Sequence, residues 1–191
     1  MSVQRAFADD VIKTYFDMGA AALDRGQYAI AQKMFKAVFQ EPSSKVQKEK
    51  IMLPLLVKSA QAHEGLKQLY KAKLLYIRAL ALLKKDKRKP DMQAVDLLLV
   101  LARINASQAL YRQAMEFASE AMDTYKKCES KDAPSVVRAL RQIEQIMHTK
   151  GRAAEQARLK DLLDQTRTEA LGTMVPGTSA HVAPLGQVVF A

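Results

Sequence analysis

A chain of 191 residues with 49% apolar and 26% charged residues has the balance of one soluble domain able to bury a core, and its net charge of +10 points to anionic partners. Trp is absent and Gly and Pro total only 7 and 6, while Ala, Leu, Gln, Lys and Met recur, which excludes a strand-rich fold and predicts an all-α one. Cys128, the only cysteine, excludes an internal disulfide.

The opening MSVQRAFADDVIKTYF carries Arg5, Asp9, Asp10 and Lys13 and lacks the apolar run of a secretory signal. No stretch approaches the roughly 18 uncharged apolar residues of a membrane span. A reduced, cytoplasmic setting is the expectation.

The first predicted element is a helical hairpin over about residues 8–40. One helix ends near Gly26, and Tyr28 opens a second whose Ala31, Phe35 and Val38 share one face. Gly19 falls inside the first helix, where glycine costs about 1 kcal/mol relative to alanine, so close approach of the partner helix is its expected role. The turn-forming EPSS at 41–44 separates this hairpin from a second, over about 45–85, which contains Pro54 either at the start of a helix or as a kink. Its second helix repeats the small-residue face with Ala72, Tyr76 and Ala79.

A third hairpin, over about 92–127, repeats the face once more in Tyr111, Ala114, Ala118 and Ala121. From Ala31 to Ala72 is 41 residues, and from Ala72 to Ala114 is 42. The fourth, over about 135–168, keeps Gly151 in the place of Gly26 but puts Gln156 and Lys160 where small and aromatic residues stood, as a terminal repeat facing water should. From residue 171 to 191 there is no Lys, Arg, Asp or Glu, and Pro176, Gly177, Pro184 and Gly186 punctuate an apolar, flexible tail. Two readings of this tail stay open: simple disorder, or docking in a groove of its own chain, of a second copy or of a partner.

The phased positions resemble the tetratricopeptide repeat: Tyr15, Met18, Gly19, Ala22, Gly26, Tyr28, Ala31, Phe35 and Pro42 follow its pattern in order. The period near 42 is similar to the longer variant of kinesin light chains and many bacterial repeat proteins. The resemblance implies a right-handed α-solenoid over residues 1–170 whose first helices line a concave groove. It implies groove positions at Phe16 and Ala20, Val57 and Gln61, Leu99 and Arg103, and Arg141 and Gln145. Members that grip terminal carboxylates use Lys and Asn in the first repeat where this chain has Phe16 and Ala20, so a partner segment mixing apolar and acidic side chains fits better. Packing between helices is the competing role for Phe16, Val57 and Leu99.

No catalytic motif, phosphate-binding glycine loop or metal-ligand spacing is present, and His63, His148 and His181 stand apart from one another. Neither a cofactor nor a metal is expected, and a non-catalytic scaffold is the function class. Cys128 beside Lys126 and Lys127 is read as a surface cysteine, or as a thiol with a depressed pKa.

Between Glu41 and Pro90 thirteen Lys or Arg face four acidic residues, a balance of +9 within a chain of +10. The densest run is Lys84, Lys85, Lys87, Arg88 and Lys89. Such a patch suits an acidic protein segment, a nucleic acid or an anionic surface, or simply keeps the face solvated. Binding of RNA or DNA, alone or within a ribonucleoprotein assembly, is the alternative to a protein partner, although base-stacking aromatics are not interleaved with the charges.

Overall fold

The computed structural model describes residues 2–40, 45–85, 91–129 and 131–172, with side chains placed over 10–40, 51–85, 91–129 and 131–168. These residues form eight helices and no strand: α1 (Ser2–Asp24), α2 (Tyr28–Gln40), α3 (Lys45–Gly65), α4 (Leu69–Lys85), α5 (Met92–Ser107), α6 (Tyr111–Lys127), α7 (Ala133–Thr149) and α8 (Ala153–Gly172). The expected turn at 41–44 and the tail beyond Gly172 lie outside the described residues, and α8 takes in the first two residues expected of that tail. Pro54 lies inside α3 on an exposed position, not at its start.

Each hairpin closes through the same turn. The residue after the last helical turn adopts a left-handed conformation at Gly26 (φ 71°), Lys67 (60°), Ala109 (62°) and Gly151 (67°). The amide that follows reaches back to the same carbonyl in each copy: Gln27 to Ala22, Gln68 to His63, Leu110 to Asn105 and Arg152 to Met147, at 2.8–3.0 Å. This six-to-one bond satisfies carbonyls that the helix end leaves unpaired. The four positions are 41, 42 and 42 residues apart, so the turns and the small-residue faces keep one period.

Two of the four turns lack the glycine that this conformation favours. A side chain at positive φ costs about 1 kcal/mol or more, so Lys67→Gly and Ala109→Gly are each expected to raise stability by up to about 1 kcal/mol, offset in part by the greater entropy of the unfolded chain. Urea midpoints of the single variants check this, with Gln68→Gly as a control that should lower the midpoint.

The start of α5 is capped by Asp91, whose carboxylate accepts from the Ala94 amide at 3.0 Å. Asp132 caps α7 by accepting from Ser135 at 3.2 Å, with Pro134 in the first turn. The small residues of the second helices are fully enclosed: Ala31, Ala72, Ala114, Ala118 and Ala121 have no exposed surface. Gly19 is buried, and a Cβ there would sit 2.6 Å from the Phe35 ring, so glycine is what lets α1 approach α2 so closely.

The interior is in two parts. Ile12, Ala22, Ala31, Phe35, Val38, Leu55 and Ala62 form one core between the first hairpin and α3. The second runs from Leu56 and Ala60 on the other side of α3 through to Leu159 and Leu163 in α8.

Candidate functional site

The odd-numbered helices form one row. The residues ten and six positions ahead of the left-handed turn recur in phase along it: Phe16 and Ala20, Val57 and Gln61, Leu99 and Arg103, Arg141 and Gln145. They differ in what they present. Gln61, Arg141 and Gln145 are exposed, Phe16, Ala20 and Val57 are half-buried, and Leu99 is only 2% exposed, a member of the main core. The Phe16 ring stands 6.1 Å from the Phe35 ring at 53°, so part of its surface is spent inside the first hairpin.

Arg103 is half-buried and already engaged. Its guanidinium donates to Glu64 on the preceding hairpin at 2.5 Å, and Tyr76 donates to the other oxygen of Glu64 at 3.3 Å. Three helices, α3, α4 and α5, are thereby tied at one carboxylate. Burial, followed by the charge and hydrogen bond of Glu64, pushes the Tyr76 hydroxyl far above its ordinary value. Arg141, by contrast, is exposed with no acidic partner among the described residues.

Lys84 and Lys85 lie on the exposed last turn of α4, where cations complement the helix dipole. Lys84 pairs with Glu120 of α6 at 2.6 Å. Lys87, Arg88 and Lys89 lie outside the described residues.

Cys128 is neither a surface residue nor an activated thiol. It is 5% exposed at the end of α6, and its sulfur donates to the Thr124 carbonyl at 3.4 Å. Burial first, then the charge of Asp91, push its pKa up against the opposing pull of Lys131, so the flanking lysines do not activate it. A disulfide-exchange reagent at pH 7.5 should label the native chain slowly and the unfolded chain fully, and rapid stoichiometric labelling of native protein would contradict this placement.

Among the described residues no group of three or more His, Cys, Asp or Glu side chains could hold a metal ion, and no helix is long and apolar enough to cross a membrane.

No protein-family model and no curated protein matches the sequence. Solved structures do. The chain is similar to BtubC (BKLC) from P. vanneervenii at 12% identity and a TM-score of 0.69, over 93% of this chain and 71% of that one. It is also similar to MamA at 16% identity and a TM-score of 0.58, over 84% of this chain and 81% of that one. At such identities the likeness is one of fold: eight helices paired into four hairpins and stacked as a tetratricopeptide-type α-solenoid.

Proposed function

We propose that the chain is a non-catalytic scaffold whose odd-helix row receives a protein segment carrying apolar and acidic side chains. The observation that carries this reading is the gradient along that row. Half-buried Phe16, Ala20 and Val57 offer apolar surface at one end, and exposed Arg141 and Gln145 offer a cation and an amide at the other. Gln61 lies between them as an open polar position. Arg103 and Leu99 shape the floor instead, because one is held by Glu64 and the other is in the core. Apolar groups of a bound segment would seat on the first two hairpins and a carboxylate on Arg141, an arrangement that gives the segment a direction.

The test is capture from a cell lysate, with and without nuclease, by the wild-type chain and by Gln61→Glu/Arg141→Glu/Gln145→Glu, whose three positions are exposed. Protein captured regardless of nuclease and lost with the triple variant supports the row. Capture abolished by nuclease, with affinity falling steeply as salt rises, would replace it with the nucleic-acid reading favoured by the +10 charge.

The basic run is assigned the role of steering an anionic partner toward this scaffold. Lys84 and Glu120 are exposed, at 57% and 42%, so their pair adds little to stability. Reversing Lys84, Lys85, Lys87, Arg88 and Lys89 to Glu together should leave the melt within about 1 kcal/mol of wild type and slow association at low salt. Unchanged association rates at low salt would leave the run a solubility feature.

A further inference from the structure

The even-numbered helices pack unevenly. Between α6 and α8 the space is closed, with the Thr166 hydroxyl 3.3 Å from the Met122 sulfur and both residues buried. Between α2 and α4, as between α4 and α6, there is almost no contact. A cleft of about 440 Å³ opens between α2 and α4, walled by Phe35, Phe39 and Leu75, floored by Ser59 and His63 of α3, and rimmed by Lys33 and Lys36.

The floor of this cleft differs from later hairpins at a buried position. Eight positions ahead of the left-handed turn, α5 carries Leu101 and α7 carries Ile143, both without exposed surface. The same position in α3 is Ser59, 4% exposed, whose hydroxyl has no hydrogen-bond partner among the described residues. Serine is shorter than leucine or isoleucine and leaves a buried hydroxyl unsatisfied beside the cleft, which is costly.

The rim says what would enter. Neither α2 nor α4 contains an acidic residue, and together they carry Lys33, Lys36, Lys71, Lys73, Arg78, Lys84 and Lys85. The contrast with α6 is plain, since Glu116, Glu120 and Asp123 balance its cations. Lys33 and Lys36 are exposed, one helical turn apart, and have no acidic partner among the described residues. Phe39, Leu74 and Ile77 leave 37%, 50% and 39% of their surfaces open on the same two helices.

We propose that this cleft is a second docking site, on the opposite side from the odd-helix row, for an acidic amphipathic helix of a partner protein. One large apolar side chain of that helix fills the space above Ser59, and carboxylates one turn apart meet Lys33 and Lys36. The site does not depend on the reading of the odd-helix row, because its lining residues, Ser59 and His63 of α3 included, are not among the eight recurring positions assigned to that row.

The probe is a fluorescein-labelled synthetic helix with Leu at one face and Glu at i and i+3 beside it, read by anisotropy. Controls are the same peptide with Lys for Glu, and an oligouridylate of equal charge. Ser59→Leu places at this position the residue of α5 and removes the unsatisfied hydroxyl, so it should fold, melt at or above the wild-type temperature and bind the acidic peptide at least tenfold more weakly. Lys33→Glu/Lys36→Glu should weaken it by a similar factor, and Arg141→Glu should leave it unchanged. Amide shifts on titration should cluster around Phe39, His63 and Leu75. The proposal is overturned if the acidic peptide fails to bind the wild-type chain, if Ser59→Leu binds as wild type does, or if the lysine peptide or the oligouridylate binds equally well. Sedimentation showing that the chain's own dimer occupies the cleft would overturn it too.

Discussion

Arginine at Ala31, Ala72 or Ala114 should unfold the array, with a loss of about 3–5 kcal/mol each, whereas Ala153→Arg should fall within about 0.5 kcal/mol of wild type. The first three side chains have no exposed surface and sit where the second helix of a hairpin meets the first. A long side chain there forces the helices apart, and its charge has neither water nor a carboxylate within reach. Total stability of a domain this size is about 5–15 kcal/mol, so a loss of that order leaves little folded protein at physiological temperature. Ala153 opens α8 on an exposed position and has room. Far-ultraviolet circular dichroism during thermal melts separates the two classes. Equal losses at all four positions would mean that the stacking face has been assigned to the wrong residues.

The second large effect is at Gly19. Alanine in a helix interior normally gains about 1 kcal/mol over glycine. Here the new methyl carbon would lie 2.6 Å from Cε1 and 2.9 Å from Cδ1 of Phe35. That ring is 1% exposed and packed within the first core, so it has nowhere to turn. Overpacking costs about 1–3 kcal/mol, and the net effect of Gly19→Ala should be a loss of about 1–2 kcal/mol despite the better helix propensity. Phe35→Leu shortens the side chain on the opposing side. The double variant should therefore lose about 1 kcal/mol less than the sum of the two single losses, a coupling that chemical denaturation can resolve. Strict additivity would show that Gly19 has some other purpose.

The hairpin register was legible because it is written in small residues at fixed spacing: Ala31, Ala72 and Ala114 in the stacking face, Gly26 and Gly151 in the turns. Where a turn carries Lys67 or Ala109 instead, the left-handed backbone leaves no trace in composition, because the six-to-one amide bond enforces it from the main chain. The resemblance placed Arg103 in the groove without its partner, because Glu64 is 39 residues away and pairing across hairpins depends on the rise of the stack. Cys128 misled for a related reason. Lys126 and Lys127 are adjacent in sequence, but both are exposed while the sulfur turns inward to Thr124. Ser59 in KSAQAHEG reads as an ordinary helical serine, and only its burial reveals a hydroxyl without a partner among the described residues where α5 and α7 carry Leu101 and Ile143.

The division of the interior along α3 makes the molecule a body with a seam. Leu55 and Ala62 face one core and Leu56 and Ala60 the other, so the first hairpin can detach without disturbing the packing from α4 to α8. Amide hydrogens of α2 should then exchange through a cheaper opening than those of α5 and α6, leaving behind three hairpins with one bare helix face. Because α2 and α4 stand on opposite sides of that seam, any side chain lodged between them acts as a bolt. It raises the cost of opening by the free energy of its own seating, and a partner held there would stiffen the end of the solenoid without changing its shape.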